Sequence, residues 1–388
     1  MAHRSSPREK APDSRILRKF DQPEFIFGPA ARKLAGLYAK TFAAGRVLVV
    51  TDPGVRAAGW TEDVTKSLEK AGLSYIVYDG VSPNPRSREV MAGAAVYRGG
   101  NCDVIVAVGG GSPIDCAKGI GIVISNERHI LEFEGIDRVE FPMPPLICIP
   151  TTGGTSADIS RFAIIRNEKE TNKIAIVSKA VIPDISLIDP VTLLSMPPYL
   201  TACTALDALT HGIEAFVSPV SSPITDLHAL EAIRLIASNL IAVVENLDNL
   251  ELRTKIMLGS LHAGIAFSNA SLGATHAMAH SLGGLLDIHH GECNAILLDH
   301  VVEFNFQVAS ARYRQIGEAM GLKLGKMPLK AQRADILRRI QGLREVSRIT
   351  ARLHELGVSR KHIPVLARKA IKDLCMVTNP RQQFPQVV

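Results

Sequence analysis

The chain has 388 residues, 46% hydrophobic and 21% charged, with 44 Lys and Arg against 38 Asp and Glu, a formal net charge of +6 with histidines neutral. That much apolar material excludes a disordered chain or a small disulfide-stapled one, because neither carries enough to fill a large core. Two domains are expected, since single cores seldom grow past about 250–300 residues.

Residues 1–20 hold six basic and two acidic side chains and read as a mobile basic extension, in which Glu9 and Asp13 argue against a transit peptide. Residues 46–52, 74–79, 103–108 and 145–150 are short apolar runs ending in turn residues. Runs apolar on both faces suit parallel strands buried between helices, and the stretches 55–71, 87–99 and 113–125 are long enough for the crossovers. The pattern predicts a doubly wound, Rossmann-like parallel sheet. Residues 162–165 and 173–177 flank a polar turn at 167–172 and predict a hairpin. Residues 188–196 read as a linker with one short helical turn, ending at Pro197 and Pro198. Beyond them the apolar spacing changes to three and four over 201–217, 223–245 and 250–267, with Ser222 as a cap before Pro223. The expected division is a tail at 1–20, an α/β dinucleotide-binding domain at 21–198 and an all-helical metal-binding domain at 199–388.

The last segment, 311–388, holds seventeen basic and five acidic residues, so residues 21–310 are net acidic. Its basic residues are scattered through helical periodicity without interleaved aromatics, which suits a solvated helical face and gives no nucleic-acid partner. The six cysteines, Cys102, Cys116, Cys148, Cys203, Cys293 and Cys375, form no Cys-x-x-Cys pair, so reduced thiols and a cytoplasmic location are expected. No apolar run approaches the roughly 20 residues needed to cross a bilayer, and no membrane partner is expected.

Two groups of residues carry chemistry. The strand at 103–108 runs into Gly109, Gly110, Gly111, Ser112, Pro113, Ile114 and Asp115. Glycines let a ligand approach the backbone, and a proline in the first turn starts a helix whose free N–H groups and dipole favour an anion, so a pyrophosphate fits there better than an ordinary tight turn explains. Asp52 ends the strand at 46–51, where it could accept from a ribose 2′-OH or form a turn before Pro53 and Gly54. Thr151, Thr152 and Thr155 follow the strand at 145–150, as a second set of ligand contacts or a polar loop. Further on, Asp207 and His211 share one helical face, and His276, His280, His289 and His290 lie within fifteen residues. An Asp-His-His-His set drawn from them suits a divalent first-row metal, iron(II) or zinc, with Glu214 and, more weakly, Cys293 as competing ligands. A nucleotide-phosphate site facing a Lewis-acid metal across an interdomain cleft suits hydride transfer.

These stretches, 109–115, 150–155, 207–214, 276–280 and 290–298, together resemble the iron-containing, or group III, alcohol dehydrogenases, in order from residue 25 to residue 381. The resemblance implies a dehydroquinate-synthase-like superfold and an NAD-dependent, metal-dependent alcohol dehydrogenase acting on a primary alcohol or short diol, or reducing the aldehyde. It places the metal, Fe(II) or else Zn(II), on Asp207, His211, His276 and His290. His280 falls near the substrate as a proton relay. For NAD it implies Asp52 and Asn84 at the adenosine ribose, Gly110, Gly111, Ser112, Pro113, Ile114 and Asp115 at the pyrophosphate, and further contacts from Thr151, Thr152, Thr155 and Lys173. Asp52 implies NAD over NADP. Phe162 and Phe267 fall in the substrate pocket, and a homo-oligomer, dimer or larger, is expected. Two departures stand out: Gly154, Thr155, Ser156, Ala157 and Asp158 replace the family's Gly-Thr-Gly-Ser-Glu, and His289 stands where proline is common. Two alternatives stay open. One is a zinc-dependent glycerol-type dehydrogenase or dehydroquinate-synthase-like lyase; the other is a regulatory homologue that keeps the NAD and metal sites as sensors.

Overall fold

Aliphatic and β-branched runs set the first half of the chain, which in the computed structural model is described from residue 19 to residue 382 except for Thr171. Among the described residues the strands are β1 (Glu24–Phe27), β2 (Arg46–Val50), β3 (Ser74–Tyr78), β4 (Val104–Gly109), β5 (Gly135–Ile136), β6 (Leu146–Pro150), β7 (Phe162–Asn167), β8 (Asn172–Val177) and β9 (Ile185–Ile188). Six of them form a parallel sheet in the order β1-β9-β6-β4-β2-β3. Between them run α1 (Ala35–Thr41), α2 (Pro53–Ala57), α3 (Trp60–Lys70), α4 (Ser87–Gly99) and α5 (Gly111–Asn126).

Successive strand residues face opposite sides of the sheet, and both sides are covered. Val47, Val49, Val104 and Val106 pack with Ala35, Ala39, Val64 and Leu68 of α1 and α3. Leu48, Val50, Ile105 and Ala107 pack with Val90, Ala94, Ile114 and Ala117 of α4 and α5. Leu48 and Ile105 are fully buried, so truncating either to alanine costs about 2–5 kcal/mol. Strand β2 has β3 on one side and β4 on the other. The winding therefore reverses between β2 and β4 and opens a crevice at their carboxyl ends, where Asp52 and Gly110 follow.

Several expectations need revision. The stretch 55–71 is two helices, α2 and α3, because Gly59 breaks them with φ 84°. The 3-10 helix Pro190–Ser195, capped by Asp189, is the short helical turn expected over 188–196, while β9 ends at Ile188 where that stretch begins. Of the tail expected over 1–20, residues 1–18 lie outside the described residues. Phe20 packs beside Phe25 and Phe27 and stacks on His228 at 6.5 Å, so that end of the segment belongs to the fold.

The period-3.6 segments form α6 (Pro198–Val217), α7 (Pro223–Glu245), α8 (Leu250–Ala270), α9 (Ala274–Leu286), α10 (His290–Asn305), α11 (Ser310–Ala319), α12 (Leu329–Val346) and α13 (Ile363–Lys372). Helix α6 is buried from Thr201 to Val217, with α7, α8 and α10 packed around it. Helix α7 is, by length and composition, long and apolar enough to cross a membrane, which corrects the expectation that no run approaches that length. Ala229, Ile233, Ile236 and Leu240 bury its apolar face in the bundle, which accounts for that composition. In the basic C-terminal segment Lys323, Lys326, Lys330, Arg338 and Arg348 are exposed, as a solvated face requires.

Candidate active site

The crevice opens into a cavity of about 820 Å³, walled on one side by the turns after β2, β4 and β6 and on the other by α6, α8, α9 and the start of α10. On the sheet side, Gly110 is the N-cap of α5 and offers no side-chain acceptor, so the N–H groups of Gly111 and Ser112 begin a 16-residue helix unpaired within it. A Cβ on Gly110 or Gly111 would lie 3.0 Å from Thr152 or 3.1 Å from Thr155, so a side chain at either position would crowd the threonines and narrow this cradle. The buried Thr152 Oγ1 has no hydrogen-bond partner among the described residues. Free amides, an open backbone and an orphan hydroxyl at a helix N-terminus fit a dinucleotide pyrophosphate.

Asp52 accepts the Val55 N–H at 2.9 Å and so caps α2 while also lining the cavity. The Asn84 N–H donates to Ser112 Oγ at 3.2 Å, and Asn84 Oδ1 accepts from Lys173 Nζ at 2.7 Å. Asp115 accepts the Ile164 N–H at 3.2 Å, and burial pushes its carboxyl up to about 7 against the pull of Lys118. Gly111, Ser112, Pro113, Thr151, Thr155 and Lys173 all line the cavity. Ile114 does not. Its side chain is in the core against the sheet, and its N–H turns toward the Gly110 carbonyl at 3.4 Å, which corrects its expected place at the pyrophosphate.

On the helical side, Asp207 and His211 sit one turn apart on α6 and His276 and His280 one turn apart on α9. A Cβ on Gly291 would come 2.3 Å from the Cys203 carbonyl, so glycine lets α10 lie against α6 and brings His290 to Asp207. Asp207 Oδ1 lies 3.6 Å from His276 Nε2, 3.8 Å from His290 Nε2 and 4.0 Å from His211 Nε2. Asn294, one turn along α10 from His290, points its Nδ2 at Asp207 Oδ1 (2.6 Å), His276 Nε2 (3.0 Å) and His290 Nε2 (3.2 Å). Asp207, His276 and His290 bring ligand atoms within 4.8 Å of one another, and His211 Nε2 stands 4.0 Å from the Asp207 carboxylate, so the donor set fits a divalent cation of the iron or zinc type.

Glu214 is not part of that convergence. It lies behind His276, with Oε2 2.6 Å from His276 Nδ1 and 3.0 Å from the Gly273 N–H, and Oε1 2.7 Å from the Thr275 N–H. It orients the imidazole, which removes it as a competing ligand. Cys293 is removed too: it is buried in a separate apolar cluster, and burial pushes its thiol up to about 12. Burial holds His211 down to about 4 and lowers His290 as well. Burial works the same way on His276, but its bonds to Asp207 and Glu214 outweigh it and raise it to about 9. Asp207 stays ionised despite burial because the surrounding imidazoles lower its pKa.

His280 Nδ1 lies 2.9 Å from Asp373 Oδ2, and its ring stacks on His290 at 5.2 Å. Phe162 and Phe267 meet at 5.7 Å, with Phe267 stacked on His211 at 4.3 Å. His289 lines the cavity edge-on to Tyr199 at 6.4 Å, outside the cation-binding convergence. Residue reading missed the orienting roles of Glu214, Asn294 and Asp373. It also missed Trp60, which lines the nucleotide side and donates to Ser195 Oγ at 2.8 Å.

A family profile described as "Iron-containing alcohol dehydrogenase" matches residues 22–190, and "Fe-containing alcohol dehydrogenase family, C-terminal" matches residues 201–388. The 1,3-propanediol dehydrogenase of Citrobacter freundii is 40% identical over 92% of this chain and 93% of its own. A crystal structure of 1,3-propanediol oxidoreductase superposes with TM-score 0.92 at 38% identity, over 95% of this chain and 97% of that one. Sulfoacetaldehyde reductase from Bifidobacterium kashiwanohense, solved in complex with NAD+, superposes with TM-score 0.82 at 28% identity, over 94% and 95% of the two chains.

Proposed function

We propose, for a chain that belongs to the iron-containing alcohol dehydrogenase family, a division of labour in which residues 21–198 hold NAD and residues 199–388 hold Fe(II). The protein is a metal-dependent alcohol dehydrogenase. In balance, a primary alcohol and NAD+ give the aldehyde, NADH and a proton; a short diol such as the one in the Citrobacter freundii relative's name is the proposed substrate class. The observation that carries the site assignment is the convergence of three Nε2 atoms within 4.0 Å of Asp207 Oδ1, facing the α5 N-terminus across one cavity.

Asp207, His211, His276 and His290 would hold the metal. A metal bound there supplies a Lewis acid for the alcohol oxygen, and NAD supplies the hydride acceptor. Gly110, Gly111, Ser112, Thr151, Thr152 and Thr155 bind the pyrophosphate, and Asp52, Asn84 and Lys173 the riboses. Phe162 and Phe267 wall the reacting carbon from water. His280, with Nδ1 engaged by Asp373, has Nε2 left to take the alcohol proton, and the ionised Asp373 stabilises the charge that results. Asp373 can do this because its burial is outweighed by the contact with His280 and the hydrogen bond from the Cys375 N–H, which keep its pKa low. The six buried, unpaired cysteines suit a reducing compartment.

The test is turnover. Protein reconstituted anaerobically with Fe(II), Zn(II) or Mn(II) and given NAD and a panel of alcohols and diols should produce NADH. Bound metal and bound NAD with no turnover on any alcohol would leave the sensor reading standing and remove the enzyme.

A further inference from the structure

The two walls of the cavity are joined at a point that the reaction does not use. Asp287 caps the end of α9, the helix that carries His276 and His280, with φ 56°. Its carboxylate reaches across to the nucleotide side. Oδ1 accepts from Asn84 Nδ2 at 2.8 Å, and Oδ2 from Arg166 Nη1 at 2.5 Å and Arg86 Nη2 at 3.3 Å. Asn84 is also left-handed, with φ 57°. Asn and Asp are the non-glycine residues that adopt that backbone most readily, and here two of them meet side chain to side chain.

Asn84 is committed on every side: its N–H to Ser112, its Oδ1 to Lys173 and its Nδ2 to Asp287. A hydrogen-bonded chain therefore runs from the phosphate turn through Asn84 to the last residue of α9. Three cations, Lys173 through Asn84 and Arg86 and Arg166 directly, are drawn to one carboxylate whose side chain is 37% exposed. An ion-paired junction that water reaches is weak enough to open on each cycle and strong enough to bias the closed form.

We propose that Asp287 is an interdomain clasp that sets how long the dinucleotide stays bound. Closed on Asn84, Arg86 and Arg166, it seals the cleft beside the groups assigned above to ribose and pyrophosphate, and the cofactor leaves when the clasp opens. The inference rests on that placement of the dinucleotide. Asp287 is a positioning residue that acts through Asn84 and touches none of the reacting atoms.

The experiment is stopped-flow displacement of NADH from the metal-loaded protein, followed by its fluorescence, over a range of salt. Asp287→Ala should release NADH about tenfold faster at low salt, since losing a contact across an interface acts mainly on the off-rate. Asp287→Asn, which keeps an acceptor for Asn84, should fall between. From about 0.01 M to about 1 M salt the screening length shrinks from about 30 Å to about 3 Å, and the wild-type rate should climb toward that of the alanine variant. A merely structural role would not give that convergence. Arg166→Met should raise the rate to a similar degree and add little to Asp287→Ala, with metal content unchanged in every variant. Equal off-rates for the wild type and both Asp287 variants at low salt would overturn the clasp. A wild type that binds no NADH would overturn the dinucleotide placement beneath it.

Discussion

Glu214→Gln isolates what a carboxylate behind a metal ligand contributes. The side chain keeps its volume but exchanges an oxygen for an NH₂, and in this pocket neither orientation works. If the NH₂ takes the Oε1 position it faces the Thr275 N–H, which now lies 2.7 Å from an acceptor. If it takes the Oε2 position it faces the Gly273 N–H and His276 Nδ1, now at 3.0 Å and 2.6 Å. The first arrangement leaves a buried donor unsatisfied, at a cost of about 1–3 kcal/mol. The second drives the His276 proton onto Nε2, the atom that faces Asp207 and that a metal would use. Either way, metal affinity should fall about 10–100-fold, as loss of a carboxylate behind a ligating histidine does elsewhere. The assay is titration of metal-free protein with Zn(II) or Co(II) against a competing chelator, with thermal unfolding measured beside it. A variant that folds normally and keeps its metal affinity within about twofold would refute the orienting role of Glu214.

The other expectations are briefer. With His276 raised to about 9, metal-free protein at neutral pH holds a proton that an incoming cation must expel. Affinity should therefore climb about tenfold per pH unit from about pH 7 to about pH 9 and then level off; a flat profile by the same titration would contradict it. The sign for stability is the reverse: the proton stabilises the metal-free fold below the ordinary histidine pKa, and that gain is lost as pH rises through about 9. Asp52→Gly should raise the NADP-to-NAD ratio of kcat/KM, because it removes the acid set against a 2′-phosphate, and glycine is a tolerable N-cap that costs only a few tenths of a kcal/mol. An unchanged ratio would reduce Asp52 to its bond with Val55. Asp373→Asn should lower kcat by about 10²-fold while leaving KM for NAD in place, since it disturbs a proton path and no cofactor contact. An unchanged kcat removes Asp373 from that path.

What the sequence makes legible follows the reach of local spacing. Helix α4 can be read to its ends, and β2, β3, β4 and β6 to within one or two residues, because each is a short apolar run with its own turn residues. Strands β1 and β9 have four residues each and exist by pairing with one another and with β6, which no local pattern records. The same division runs through the site. Asp207 with His211, and His276 with His280, stand out because each pair shares one helical face, and His290 because it begins a helix beside a glycine. Their orienting partners come from the tertiary fold. Glu214 lies one turn from His211 and looks like a ligand until α9 packs so that its own N–H groups meet the carboxylate. Asp373 is 93 residues from His280 and Asp287 is 203 residues from Asn84, so nothing in either neighbourhood announces the pairing. Ligating atoms recur at helical spacing because one rigid element must present two of them at once. The groups that aim those atoms need only arrive from whichever element packs behind, so their positions in the sequence carry no such signature, and a substitution there changes the site without touching a residue that spacing would single out.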